Sequence, residues 1–201
     1  MIVLWGIIVN LKFDLDIIIA GFVLILLIIN IKNSRLFNFY DRWFHHKLGN
    51  QQNTKLWQII TFLNEPKLIA GWDVILASVL FLTGHPHLGK WVLITLIFTD
   101  LIGIFLKKTV KRKRPKKPTQ VRVGYSFPSG HVLSVTIMGL IIWQVFGKSG
   151  GLWLLLPILI TWILVVISRL KTRAHYPSDI IGATTLGFFC FAIAQQFLML
   201  V

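Results

Sequence analysis

The chain contains several apolar stretches long enough to cross a lipid bilayer, and this feature limits its possible folds more than any other. One of them, residues 17–29, contains no polar residue. A bilayer core of about 30 Å needs roughly 20 mostly apolar residues in an α-helix. Six stretches approach this length: residues 15–31, 68–83, 90–106, 132–146, 152–167 and 180–201. The sequence therefore predicts an all-α integral membrane protein, a bundle of six transmembrane helices.

The composition supports this prediction. Of the 201 residues, 55% are apolar and only 14% are charged, whereas an ordinary soluble domain has about 25% charged residues. A soluble domain of this size could not bury so much apolar surface, and disorder, a collagen-like fibre and a disulfide scaffold are excluded. Because no internal repeat or low-complexity linker divides the sequence, residues 1–201 are predicted to form one domain of a multi-pass cell-membrane protein.

The link between the first two apolar stretches, residues 32–67, is amphipathic. It mixes aromatic and basic side chains: Phe39, Tyr40, Trp43, Phe44 and Trp57 lie among Arg42, Lys47 and Lys55. This mixture is typical of a helix that lies in the membrane interface. We therefore predict an interfacial amphipathic segment between transmembrane helices 1 and 2.

The order of the stretches predicts which links share a membrane face. The third stretch ends near Lys107 and the fourth begins near His131. The fourth and fifth stretches cross the membrane and return, so the chain comes back to the same face near Ser168. Residues 107–131 and 168–179 are therefore expected to be neighbours, although they are far apart in sequence.

Three clusters on this face carry the chemistry: residues 107–115, 127–131 and 168–179. Arginine matches phosphate oxygens with its planar fork, and lysine adds a point charge. A Ser-Gly pair before a helix offers a hydroxyl and backbone N–H groups to an oxyanion. A histidine oriented by a carboxylate can act as nucleophile, and a second histidine can protonate a leaving oxygen. The set fits phosphoryl transfer through a phosphohistidine.

These residues resemble the type 2 phosphatidic acid phosphatase family, which is related to vanadium-dependent haloperoxidases, and especially its bacterial phosphatidylglycerophosphatase B-like members. The family pattern is K-x6-R-P, then P-S-G-H, then S-R-x5-H-x3-D. The matching segments are Lys107 with Arg114-Pro115, Pro128-Ser129-Gly130-His131, and Ser168-Arg169 with His175 and Asp179. All three match without a gap, in order, and the resemblance extends over the whole chain.

The resemblance implies a role for each matching residue. His175 would be the nucleophile, Asp179 would orient it, and His131 would be the general acid. Another five residues would hold the phosphoryl oxygens: Lys107, Arg114, Arg169, Ser129 and Gly130. No metal site and no cofactor are expected. We interpret the other cations between Lys107 and Arg122 as parts of a solvated basic loop near anionic lipids. These cations are Lys108, Lys111, Arg112, Lys113, Lys116, Lys117 and Arg122.

The net charge of +14 is compatible with a phosphorylated substrate, anionic headgroups or nucleic acid, and the apolar background disfavours nucleic acid. We expect the membrane and a lipid phosphate as partners: phosphatidylglycerol phosphate, undecaprenyl diphosphate or phosphatidic acid, by resemblance. The sequence does not select one of them, nor an oligomeric state. A lipid phosphotransferase and a non-enzymatic transporter or binding protein for anionic lipids remain the alternatives.

Two indications of membrane orientation disagree. All but three of the 21 Lys and Arg residues fall on the face with the three clusters, the exceptions being Lys12, Lys90 and Lys148. The positive-inside rule places that face in the cytoplasm. The resemblance implies the opposite for bacterial members, whose site faces outward. Because interfacial and substrate-binding loops are basic for their own reasons, we expect an extracytoplasmic site.

Overall fold

A computed structural model describes residues 2–48, 55–115 and 124–199, with side chains described over residues 14–48, 55–115 and 124–198. These residues form seven α-helices: α1 (Ile2–Asn33), α2 (Arg35–Leu48), α3 (Lys55–Leu63), α4 (Pro66–Leu82), α5 (Pro86–Val110), α6 (Gly130–Lys171) and α7 (Pro177–Met199). The all-α prediction is thus confirmed over the described residues. Of the predicted basic loop, Lys116, Lys117 and Arg122 lie outside them.

Three of the helices begin with proline. Pro66, Pro86 and Pro177 are the first residues of α4, α5 and α7. Proline suits this position because its fixed φ angle is helical and its missing N–H would have had no intrahelical partner. The sequence therefore fixes where the chain re-enters a helix after each of three turns.

Among the residues that the structure describes, four helices are long and apolar enough to cross a membrane: Asp14–Asn33, Pro86–Val110, Gly130–Lys171 and Pro177–Leu198. The prediction of a multi-pass membrane protein is confirmed to this extent. α4 has 17 residues and corresponds to the second predicted crossing. The count of six crossings and the single-domain assignment stay predictions.

The 42 residues of α6 are two helical arms joined at Gly151, whose φ of 49° and ψ of −140° are not helical. A residue with a Cβ is strained in this conformation, so glycine is required. The arms run antiparallel. A hydrogen bond from Nε1 of Trp162 in the second arm to Thr136 Oγ1 in the first arm (3.1 Å) shows this arrangement. Gly139 likewise lies close to Ile158. Both ends of α6 therefore lie at the same end of the bundle, as the sequence predicts for residues 131 and 168.

α7 is the central helix of the packing, in contact with α1, α5 and α6. Leu186 and Cys190 of α7 are buried in one apolar core with Val132 of α6 and Leu24 of α1. Trp91 of α5 also donates a hydrogen bond to the backbone of α7 at Ala194 (2.8 Å). The first turn of α7 is thereby held in a fixed place relative to the start of α6.

The amphipathic link contains α2 and α3, with residues 49–54 outside the described part. One face of α2 is exposed and apolar, with the side chains of Leu36, Phe39, Tyr40, Trp43 and Phe44. Its opposite face buries the polar residues Asp41 and His45. A helix that exposes aromatic residues and buries an acid has a specific polar contact beneath it.

Phe127 and Gly182 form a tight contact that positions the second cluster. The ring of Phe127 is fully buried, and a Cβ added at Gly182 of α7 would overlap it. We predict that Gly182→Ala destabilises the protein by about 1–3 kcal/mol, because a fully packed ring cannot yield to the added methyl group. Thermal unfolding in detergent measures the effect.

Gly71→Ala is the matched control, because a Cβ at Gly71 of α4 meets no atom within 4 Å. Alanine is also the better helix former, so this variant should unfold at or above the wild-type temperature. Equal destabilisation by the two substitutions would contradict the tight contact at Gly182.

Candidate active site

Backbone hydrogen bonds join the three clusters into one site. The N–H of Ser126 donates to the carbonyl of Arg112 (2.8 Å), which ties the first cluster to the segment before α6. The N–H of Ser129 donates to the carbonyl of Asp179 (3.2 Å), which ties that segment to α7. The prediction that residues 107–131 and 168–179 are neighbours is confirmed by these contacts.

Tight reversals at the ends of two helices bring the clusters together. At the end of α6, Ala174 N–H donates to the carbonyl of Arg169 and Arg173 N–H to that of Leu170, both at 3.0 Å. This is a Schellman motif, with Arg173 in the left-handed conformation (φ 50°) where glycine is usual. Lys111 ends α5 with a similar φ of 51°. Each reversal turns the chain back over the end of the bundle.

His175 is buried between these reversals, with 2% of its surface exposed. Its Nδ1 lies 2.9 Å from the carbonyl oxygen of Ser126 and 3.5 Å from Oδ2 of Asp179. Since a carbonyl can only accept, Nδ1 carries the proton and Nε2 is left with its lone pair. Burial lowers the pKa of His175 below its usual range, although the hydrogen bond to Asp179 acts in the opposite direction. The imidazole is therefore held as a neutral, oriented base or nucleophile.

Asp179 is fully buried at the start of α7, where several donors surround its carboxylate. Tyr176 N–H donates to Oδ2 (2.9 Å), so Asp179 caps the first turn of its own helix. Arg112 makes an ion pair with Oδ1 (2.9 Å), and Ser126 Oγ lies 3.4 Å from the same oxygen. A carboxylate held this firmly can fix the position of the neighbouring imidazole.

His175 and Asp179 are four residues apart in sequence, and their side chains approach each other in the structure. Their spacing of four places them on adjacent turns only if α7 begins before His175. α7 begins at Pro177, so His175 lies in the irregular segment before the helix. The two side chains meet nonetheless, because Asp179 reaches back from the first turn of α7.

Several of the residues predicted to bind phosphate lie near the buried imidazole. A Cβ at Gly130 would lie 3.4 Å from Nζ of Lys107, which brings the end of α5 to the first turn of α6. Within the described part of the chain, the buried donors without a hydrogen-bond partner include Oγ of Ser129 and Nε of Arg114. Buried donors are normally paired, so these two atoms are suited to hold an anion.

Arg169 and His131 complete the predicted set. Arg169 is buried, with 4% of its surface exposed, and its Nη2 donates to Thr61 Oγ1 of α3. His131 is half-buried in the first turn of α6. The charged or titratable groups that act on it electrostatically are Arg169, His175, Lys107 and Arg114. Every residue predicted for the site thus lies in or beside one cluster, while its role stays a prediction.

Arg112 and Asp41 are the residues of this cluster that the sequence analysis missed. Arg112 was interpreted as part of a solvated loop, and this interpretation is wrong. Its side chain is 8% exposed and bridges Asp179 and Asp41 of α2. The available signal was the sequence Arg112-Lys113-Arg114, because alternate residues of an extended segment point the same way. For Asp41, the signal was a lone acid on a basic and aromatic helix.

The arrangement supports one kind of chemistry. A neutral imidazole with a free Nε2 lies among cationic and hydroxyl groups that suit a tetrahedral oxyanion, and a second imidazole is near. In the described part of the chain, no group of three His, Cys, Asp or Glu residues could hold a metal ion. These residue types are suited to phosphoryl transfer to and from a histidine.

Known proteins with similar sequences are phosphatases. A family model described as the PAP2 superfamily matches residues 88–199. Decaprenylphosphoryl-5-phosphoribose phosphatase of Mycobacterium tuberculosis, in strains CDC 1551 and H37Rv, is 33% identical over 91 residues. That stretch covers 43% of this chain and 48% of the relative. The chain therefore spans about half the length of the curated relatives it matches.

A solved structure shares the fold. It is the transmembrane PAP2-type phosphatidylglycerolphosphate phosphatase from Bacillus subtilis, with a TM-score of 0.79. The match covers 92% of this chain and 97% of that chain, at 19% sequence identity. The likeness establishes a common helical fold.

Proposed function

The chain belongs to the PAP2 superfamily, and from this premise we propose that it is a membrane lipid phosphatase. It would remove the terminal phosphate from a lipid phosphate or diphosphate: phosphatidylglycerol phosphate, undecaprenyl diphosphate or phosphatidic acid. The observation that carries the proposal is the pair of unpartnered buried donors, Ser129 Oγ and Arg114 Nε, beside a buried imidazole. These groups suit a phosphoryl group and would be costly without one.

The reaction would proceed in two displacements at phosphorus. Nε2 of His175 attacks the phosphorus atom, and the bond from phosphorus to the leaving lipid oxygen breaks. His131, protonated once substrate is bound, gives its proton to that oxygen. Water then attacks the phosphohistidine with His131 as the base, and the P–N bond breaks to release inorganic phosphate and neutral His175. Lys107, Arg114, Arg169, Ser129 and the Gly130 amide would stabilise the phosphoryl oxygens.

We propose six membrane crossings for the chain: α1, α4, α5, the two arms of α6, and α7. α2 and α3 would lie in the interface on the side of the site. The exposed aromatic face of α2 supports this placement, because tryptophan and tyrosine favour the headgroup region. A lipid would then reach the site laterally, with its headgroup at the depth of His175.

Phosphate release by purified protein tests the proposed function. We predict that wild type releases phosphate from at least one of the three candidate lipids with EDTA present, and that His175→Ala lowers kcat on the order of 10³-fold or more, as expected when a nucleophile is removed. The assay is colorimetric phosphate detection in mixed micelles, with product lipids identified by mass spectrometry.

Lys113→Ala is the matched control for His175→Ala. Lys113 belongs to the same basic segment, but its side chain is exposed, so kcat should change less than about twofold, as is usual for surface positions. Equal losses in the two variants would refute the site assignment. Binding of the lipids without phosphate release would favour the transporter or binding alternative, and release only with an added alcohol acceptor would favour a phosphotransferase.

The direction that the site faces has its own test. We propose an extracytoplasmic site. In a Cys190→Ala background, Lys113→Cys should react with a membrane-impermeant maleimide on intact cells, and Ser149→Cys only after permeabilisation. Both positions are exposed. Ser149 lies at the end of the first arm of α6, and Lys113 lies beside the start of that arm. The reverse labelling pattern would place the site in the cytoplasm.

A further inference from the structure

The polar face of α2 lies directly on the candidate active site. Asn38, Asp41 and His45 are spaced three and four residues apart, so they share one face of the helix. The ring of His45 lies 5.2 Å from the ring of Tyr176. Oδ1 of Asn38 lies 3.4 Å from Nη2 of Arg112. This face therefore contacts both the first cluster and the segment that carries His175.

Asp41 makes the strongest of these contacts. Its Oδ2 lies 2.5 Å from Nη2 of Arg112 in a buried ion pair. Its two oxygens also accept hydrogen bonds from Ser178, one from the backbone N–H (3.1 Å) and one from Oγ (2.6 Å). Ser178 lies in the first turn of α7, next to Asp179. One carboxylate thus holds both the arginine that binds Asp179 and the helical turn that carries Asp179.

Arg112 is fixed on several sides. It makes ion pairs with Asp41 and Asp179 through different Nη atoms, and its guanidinium carbon lies 4.2 Å from the ring centre of Tyr176. The planar guanidinium can bind two carboxylates at once, which the point charge of lysine cannot do in a fixed geometry. Removing either carboxylate leaves a buried charge with one fewer partner.

We propose that Asp41 of α2 is a positioning residue for the phosphoryl transfer, acting through Arg112 and Ser178 on Asp179 and so on His175. This inference rests on the proposed function. It assigns a catalytic consequence to a helix outside the residues that the family model matches. It also explains why a helix with an exposed apolar face carries a buried acid.

The test compares four purified proteins: wild type, Asp41→Asn, Arg112→Gln and the double variant. The substrate, in mixed micelles, is whichever of the three candidate lipids wild type hydrolyses fastest, and a wild type that hydrolyses none of them counts as inactive. We expect each single variant to lower kcat roughly ten- to a hundredfold with little change in KM, because the phosphate-binding groups remain while the nucleophile is misplaced. Since both residues act through one network, the double variant should have a kcat no lower than that of the less active single variant. Additive losses would overturn the proposal.

The pH profile of kcat/KM separates positioning from a purely structural role. His175 must be neutral to attack, so activity falls as the pH drops through its pKa. Asp41→Asn removes a negative charge and should move the acidic limb to lower pH. Arg112→Gln removes a positive charge and should move the limb to higher pH. If the acidic limb of the pH profile stays at its wild-type position in both variants, Asp41 has a structural role alone and the inference is refuted.

Other charges around His175 are the same in all four proteins, so they do not alter the direction of these shifts. They come from every element that packs against the imidazole: Asp179 of α7, Arg114 after α5, Arg169 of α6 and His131 at the start of α6. Asp41→Glu keeps the charge and should leave the limb at the wild-type pH, with a smaller loss of kcat than Asp41→Asn.

The charge-matched control is Asp16→Asn, an exposed acid on α1, which should leave kcat and the pH profile unchanged. If Asp41→Asn yields no folded protein, the direction in which Arg112→Gln shifts the acidic limb of the pH profile decides the question. An inactive wild type would reject the proposed function. An active wild type with an unaffected Asp41→Asn would reject only the positioning role.

Discussion

The structure depends on how one fully buried carboxylate is stabilised. Asp179 has no exposed surface, and an ionised carboxylate without partners would cost several kcal/mol at such a site. Its partners come from three segments of the chain: Arg112 after α5, Ser126 before α6, and the N–H of Tyr176 just before α7. The chain can bury this charge only by bringing those segments together. The same convergence places His175 among Lys107, Arg114 and Ser129.

This arrangement would reconcile two needs of the proposed lipid phosphatase. The fold must present an apolar surface to hydrocarbon, which leaves the long helices with leucine and isoleucine outward. The reaction needs a cluster of cations and imidazoles that can be desolvated at the membrane surface. Tight reversals at Lys111 and Arg173 keep that cluster at one end of the bundle. The cost of burying its charges is offset in part by the pairing of Arg112 with Asp179 and Asp41.

The sequence alone predicts the all-α fold, several apolar helices and the shared face of the three clusters, whereas the roles of the site residues stay predictions. Apolar runs near 20 residues and prolines at helix starts are local signals, and the order of crossings follows from counting them. The part that could not be predicted depends on side-chain direction in irregular segments. Arg112 and Lys113 are adjacent basic residues, yet the side chain of Arg112 is buried and that of Lys113 is exposed. Asp41 lies in an amphipathic helix whose docking partner is 71 residues away in sequence.

The hydrogen bonding of His175 is a second example. A spacing of four residues from Asp179 suggests a direct pair, but the shorter contact of Nδ1 is with the carbonyl of Ser126. A sequence motif does not indicate which backbone carbonyl a side chain will contact. The carbonyl that selects the histidine tautomer can therefore be identified only from the structure. A structure of the protein with orthovanadate would test the convergence of the three segments most directly. We predict vanadium bonded to Nε2 of His175, with its oxygens in contact with Arg114, Ser129 and the Gly130 amide. Vanadate bound elsewhere, or bonded to no histidine, would contradict a single phosphoryl site.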